Sequence, residues 1–116
     1  MEPIYRSDGE WVAVYEKGNV FNVDGEWIGF VSGREVFDPS GLYLGFLSDD
    51  HRLLRTRSRP AKRPHKTPPP QPERPQLPAA MPLAPLLPAL PQSIIDMFEE
   101  YPDQLLYVSE TRPDMD

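Results

Sequence analysis

The sequence predicts an all-β domain, an antiparallel meander of short hairpins, in residues 1–55, followed by a proline-rich segment and an acidic tail. One sequence pattern recurs every 16 residues, and its main aromatic position is occupied by Trp11, Trp27 and Tyr43. A fixed period over consecutive copies indicates one supersecondary unit that packs on its neighbours. Twelve prolines lie within residues 60–91. No helix or buried core is expected there, because proline lacks the backbone donor and disfavours helical backbone before it.

Turn signals divide residues 1–55 into strands. Within the copies they are Asp8-Gly9, Asp24-Gly25 and Ser40-Gly41, and between the copies Lys17-Gly18 and Ser32-Gly33. Glycine accepts positive φ, and Asp-Gly is a strong hairpin signal. The fourth copy stops after one short run, Arg52–Arg55. Seven strands are therefore predicted. The two edge strands could pair with each other to close a ring, pair with a second copy in a dimer, or be covered by the tail.

The long strands are apolar on both faces, which indicates that both faces are covered. Strict alternation places Trp11, Ala13 and Tyr15 on one face and Val12 and Val14 on the other. An aromatic cluster is the predicted structural core: Tyr5, Trp11, Phe21, Trp27, Phe37 and Tyr43. The alternative interpretation of this cluster is an aromatic cage for a ligand.

Residues 20–33 (VFNVDGEWIGFVSG), 37–47 (FDPSGLYLGFL) and 52–55 (RLLR) resemble the small bacterial 4-fold β-flower domain. The resemblance covers residues 1–55. It implies hairpins closed around a pseudo-four-fold axis, and it implies no activity, cofactor or catalytic residue. MORN and WG repeats are similar in character, but their spacing differs from the one found here.

Residues 56–91 are predicted to be a disordered linker that is first basic and then apolar. Seven Lys or Arg and no acid lie in the arm 52–66, which is typical of a solvated arm or of an anion-binding segment for nucleic acid or an acidic membrane surface. No aromatic residue interleaves these cations, which disfavours single-stranded nucleic acid. Neutralising Arg57, Arg59, Lys62 and Arg63 would test the anion-binding hypothesis.

Two features of the linker are typical of polyproline II. The first is a cation-flanked PxxP pattern that predicts partner docking through Lys66, Pro69, Pro72 and Arg74, with a semi-rigid spacer as the alternative. The second is an uncharged stretch with proline at every third position: Pro82, Pro85, Pro88 and Pro91. Such an apolar ribbon is expected to lie on the domain or on a partner.

Residues 92–116 form an acidic tail. Ser93 and Asp96 have the spacing of a capping box and predict a short helix over residues 93–101. A helix of this length is not stable in isolation, so it is expected to dock. The docking residues predicted from its apolar face are Ile94, Ile95 and Phe98. The docking target is either the chain's own domain or another protein.

Composition disfavours catalysis. The chain has two His and no Cys, and its one polar cluster, residues 49–51, is interpreted as a turn rather than a catalytic or metal site. No cofactor is predicted. The sequence predicts a cytoplasmic, non-catalytic interaction module whose partner is another protein, with nucleic acid or anionic lipid as the alternatives and self-association open. No apolar run is long enough for a membrane span.

Overall fold

The computed structural model describes residues 1–57 and 66–106. They form one antiparallel sheet of eight strands in which neighbours in space are neighbours along the chain. The strands are β1 (Glu2–Tyr5), β2 (Trp11–Glu16), β3 (Asn19–Asn22), β4 (Trp27–Ser32), β5 (Glu35–Phe37), β6 (Tyr43–Leu47), β7 (Leu53–Thr56) and β8 (Ile94–Asp96). Helix α1 (Met97–Glu100) and a 3-10 helix (Pro102–Leu105) follow. The predicted all-β antiparallel meander is confirmed.

The turns after β1, β3, β5 and β6 share one hydrogen-bonding scheme. In the first, the Arg6 N–H donates to the Glu10 carbonyl (2.9 Å) and the Gly9 N–H donates to the Arg6 carbonyl (2.8 Å). Gly9 has φ +93°, a conformation that glycine adopts without a Cβ clash. In the turn after β6 the corresponding position is taken by His51, at φ +67°.

A β-bulge in the first hairpin redistributes its side chains. Ile4 is opposite Ala13 but Tyr5 is opposite Trp11, so Val12 is an extra residue in β2. Opposed residues share a face of the sheet. Trp11 therefore lies with Tyr5 and not with Ala13, which corrects the face assignment made from strict alternation. The hairpins β3–β4 and β5–β6 have the same register shift at Val20/Phe21 and Val36/Phe37.

The main core is aliphatic rather than aromatic, and it includes residues from the C-terminal part of the chain. It consists of Ile4, Val12, Ala13, Val20, Ile28, Val36, Leu44, Leu53, Ile95, Met97, Phe98 and Leu105. The sequence predicted a folded unit confined to residues 1–55. The last four members of the core show that the folded unit also includes residues from the C-terminal part of the chain. Residues 94–105 pack on the chain's own sheet.

The predicted aromatic core forms a second layer on the opposite face. Tyr5, Phe21 and Phe37 are buried, whereas Trp11, Trp27 and Tyr43 are half-buried. Two ring pairs mark this layer: the centroids of Phe30 and Phe37 are 5.5 Å apart, and those of Phe37 and Tyr43 are 5.9 Å apart. The bulges are the physical reason, because they turn the aromatic positions away from the aliphatic face.

Strand β8 is an eighth strand where the sequence predicted seven strands and a helix. It pairs antiparallel with β7, and Ile95 lies opposite Arg55. Ile95 is only 5% exposed. The strand conformation covers the open edge of β7 and buries this side chain, which a solvated helical turn would not do.

The helix predicted over residues 93–101 is therefore shorter and capped differently. It begins at Met97, and Asp96 replaces Ser93 as its N-cap. The Phe98 N–H donates to Asp96 Oδ1 over 2.9 Å. One turn of helix is stabilised here by burial of Met97 and Phe98, not by its own propensity.

Two results concern only the part of the chain that the structure describes. None of its helices is long and apolar enough to cross a membrane. No group of three or more His, Asp or Glu in it is arranged to hold a metal ion.

Candidate partner-binding surface

Residues 66–91, here called the ribbon, form neither helix nor strand but lie along the sheet. Four hydrogen bonds attach the ribbon to residues in or beside four different turns. They join the Lys66 N–H to the Gly41 carbonyl (3.0 Å), the Arg74 guanidinium to the Asp24 carbonyl, the Tyr5 hydroxyl to the Pro82 carbonyl (2.6 Å) and the Arg52 Nη1 to the Pro88 carbonyl (3.1 Å). The ribbon therefore passes the turns after β5, β3, β1 and β6 in that order.

Burial along the second half of the ribbon repeats every three residues. The half-buried positions are Met81, Ala84, Leu87 and Leu90. Polyproline II has three residues per turn, so these four side chains form one edge that faces the domain. The prolines at 82, 85, 88 and 91 form a second edge, which is exposed.

The third edge exposes two large apolar side chains. Leu83 is 95% exposed and Leu86 is 96% exposed. Beside them is an open groove of about 550 Å³ between the ribbon and the first turn, lined by Ser7, Asp8 and Gly9. Single exposed leucines are ordinary, but two leucines on one edge among exposed prolines form a continuous apolar surface.

A buried polar network fixes the end of the ribbon. The Ser7 N–H and hydroxyl donate to Asp96 Oδ2 over 2.8 and 2.6 Å. Arg52 Nη1 donates to Ser7 Oγ (3.0 Å) as well as to Pro88, and Arg52 and Asp96 are only 3% and 1% exposed. Burial raises the pKa of Asp96, and the donors of Ser7 and Phe98 oppose this effect.

Arg52 is neutralised on its other side by Asp50. Their Nη2 and Oδ2 atoms are 2.6 Å apart, and Nε donates to Oδ1 over 3.2 Å. This bidentate contact lowers the pKa of Asp50. The guanidinium thus connects the turn after β6, the turn after β1 and the ribbon.

The predicted PxxP residues are not equally available. Lys66 and Pro69 are exposed, and Pro72 is half-buried. The Arg74 guanidinium packs against Gly25 and donates to Asp24. In this conformation the second cation of the pattern is engaged by the chain's own domain.

The predicted docking residues of the tail belong to the domain instead. Ile95 and Phe98 are 5% and 1% exposed in the core, and Ile94 is half-buried. Of the two docking targets that the sequence left open, the chain's own domain is the one that these residues contact in this structure. The reason is that β8 and α1 bury the apolar residues that the sequence pattern left without a cover.

The basic arm is also partly engaged. Arg55 lies over the Tyr101 ring, 5.0 Å from its centroid, and Arg57 Nε donates to the Gln92 carbonyl over 2.9 Å. Its other predicted anion-binding cations, Arg59, Lys62 and Arg63, lie outside the described residues. Leu83 and Leu86 were not among the residues predicted to dock a partner, although the three-residue proline period indicates that one edge of the ribbon is exposed.

A family model described as 4-fold beta flower protein matches residues 2–93, which is most of the chain. The chain belongs to this family. The match extends from β1 through the ribbon, so the flower includes more than the hairpins on which the resemblance was based. Comparisons with curated proteins and with solved structures found no match.

Proposed function

We propose that this beta-flower protein is a non-catalytic protein-interaction module that presents a preformed polyproline ribbon to an aromatic-lined groove of another protein. The observation that carries the proposal is the near-complete exposure of Leu83 and Leu86 on a ribbon whose opposite edge is held by the domain. Polyproline II segments are recognised by aromatic-lined grooves.

The domain's contribution is preorganisation. The carbonyls of Pro82 and Pro88, on either side of the exposed leucines, accept hydrogen bonds from Tyr5 and Arg52. A segment that is already ordered loses less conformational entropy on binding than a free peptide of the same sequence. The intact protein is therefore expected to bind more tightly than a peptide of residues 80–91.

Charge around the ribbon favours a partner groove with a basic rim. Asp8 lines the groove beside the exposed leucines, and its partner Arg6 also pairs with Glu10, so these three groups carry one net negative charge. Glu99 is exposed, and its pKa is raised by partial burial and by the negative charges of Asp96 and Asp8. Complementary charge at the edge of an interface steers association and selects partners.

We further propose that the flower has four units around a pseudo-four-fold axis and that β7 and β8 form the fourth. The register shifts that recur every 16 residues support three equivalent hairpins, and the antiparallel pairing of β7 with β8 supports a fourth pair. In this arrangement the ribbon connects the two strands of the last unit. Its attachment to the domain at both ends then follows from the topology.

A purified panel of SH3 and WW domains tests the proposed function. We expect at least one domain to bind the intact protein by calorimetry, and Leu83→Asp with Leu86→Asp to weaken that binding about tenfold or more, since two buried apolar contacts are replaced by charges. Leu42→Asp, at a leucine that is 48% exposed on another turn, is the matched control and should bind like wild type.

Three outcomes would overturn the proposal: no binding by any domain, equal binding by the double variant, or a peptide of residues 80–91 that binds as tightly as the protein. Steep weakening with salt would point instead to the basic arm, because counterion release dominates binding by cationic segments.

A further inference from the structure

A cavity of about 280 Å³ opens where β1 and the ends of β2, β4 and β6 meet. Its apolar wall is formed by Ile4, Tyr15, Val31 and Leu47. The last three residues are spaced 16 apart, and they pack against the aliphatic core. The cavity is therefore built from the same position of three hairpins. It is distinct from the groove beside the ribbon.

The rim of the cavity is rich in hydrogen-bond acceptors. It carries Glu2, Asp49, His51 and one guanidinium, Arg34, which forms an ion pair with Asp49. With both carboxylates ionised, the rim has one negative charge in excess. The Oε1 atom of Glu2 lies 4.0 Å from His51 Nδ1.

The His51 ring has a defined tautomer. Its Nδ1 lies 3.0 Å from the Pro3 carbonyl, and a carbonyl oxygen can only accept. Nδ1 therefore carries the hydrogen, and in the neutral ring Nε2 offers a lone pair. His51 thus adds an acceptor to those of the two carboxylates.

The backbone at His51 differs from that of the other three turns. His51 has φ +67°, whereas the corresponding residues of the other three turns are glycines with φ between +83° and +97°. Lys17 and Leu106 also have positive φ, and histidine tolerates the left-handed region better than most residues with a Cβ. An imidazole is present where glycine would be the easier choice.

We propose that this cavity binds a small organic ammonium ion with an apolar body. The ammonium group donates to Glu2 and to His51 Nε2, and the body packs against Tyr15, Val31 and Leu47. The volume suits a ligand near the lower end of the range for small-molecule sites, about 300–1,000 Å³.

An NMR titration of the full chain with three probes that share a phenylethyl body tests the proposal. The probes are 2-phenylethylammonium, neutral 2-phenylethanol and anionic 3-phenylpropanoate. We expect the ammonium probe to shift the amide signals of Gly33, Asp49 and His51, and to bind about tenfold more tightly than the alcohol, because charged hydrogen bonds are the stronger ones. The anion should not bind.

Two variants locate the site. Glu2→Gln should weaken ammonium binding about tenfold. His51→Gly should weaken it as well without unfolding the protein, because glycine is the residue found in the other three turns. The exposed Glu73→Gln is the matched control and should leave binding unchanged, as should the double variant at Leu83 and Leu86.

Equal binding of ammonium and alcohol, preferred binding of the anion, or unchanged ammonium binding in folded Glu2→Gln would overturn the proposal. So would the absence of binding by any probe at millimolar concentration. Because the cavity and the ribbon are tested with separate variants, failure of one proposal leaves the other standing.

Discussion

Gly29 lies where β4 and β5 approach each other closely. A Cβ built at this position would be 2.6 Å from the Phe37 carbonyl oxygen, which is well inside van der Waals contact. Gly29→Ala should therefore lower the free energy of unfolding by about 1–3 kcal/mol, the usual cost of overpacking. Urea denaturation followed by tryptophan fluorescence measures the change. A variant as stable as wild type would show that the strands can separate at no cost.

Asp50 is the carboxylate partner of the buried Arg52. Asp50→Asn should lower the free energy of unfolding at neutral pH by about 2–4 kcal/mol, because it leaves a buried guanidinium without its counter-charge. The pKa of Asp50 is lowered in the folded state, so its stabilising effect is present above the unfolded pKa of about 3.9 and is lost as pH falls through the folded pKa.

The difference in unfolding free energy between wild type and Asp50→Asn should accordingly shrink as pH falls below about 4. The buried Asp96 makes a separate contribution to stability in both proteins. Its pKa is raised in the folded state, so this contribution is present at low pH and is lost as pH rises. A difference that stays constant between neutral and acid pH would contradict the ion pair described here.

At the level of elements, two adjacent leucines lie on different edges of the ribbon, and their substitution is predicted to change stability by different amounts. Leu87 is half-buried against the domain, whereas Leu86 is 96% exposed. Leu87→Asp should cost about 1 kcal/mol or more of unfolding free energy, and Leu86→Asp should stay within about 0.5 kcal/mol of wild type. Thermal or urea unfolding of the two variants provides the comparison. Equal effects would mean that the ribbon is not held along one edge.

The hairpins were predictable because their signals are local. Asp-Gly turns and a 16-residue spacing give the strands from β1 to β6. The bulges were not predictable, because an extra residue such as Val12 looks like a continuation of an apolar strand. One missed bulge moves Trp11 to the face of Tyr5, away from Ala13.

Strand β8 could not be predicted for a different reason. Its three residues, Ile94–Asp96, also satisfy a helical capping pattern, and their partner strand ends at Thr56. The choice between strand and helix depends on an open edge far away in sequence. For the same reason the sequence left open whether Ile95 and Phe98 dock on the chain's own domain or on another protein. The exposed edge of the ribbon follows from the proline period once the edge that faces the domain is known.

At the level of the whole molecule, the central claim is that the C-terminal segment completes the fold and thereby holds the ribbon at both ends. The core includes Ile95, Met97, Phe98 and Leu105, and each buried apolar side chain contributes about 1.5–3 kcal/mol. Small domains have little stability to spare. Residues 1–57 are therefore not expected to fold independently.

The most direct test is urea unfolding of a chain that ends at residue 93, compared with the full chain and with a chain that ends at residue 106. The chain ending at 106 keeps every described residue and should match the full chain. The chain ending at 93 should lose its cooperative transition. If it unfolds cooperatively with the free energy of the full chain, β8 and α1 are not part of the folded unit and the central claim is wrong.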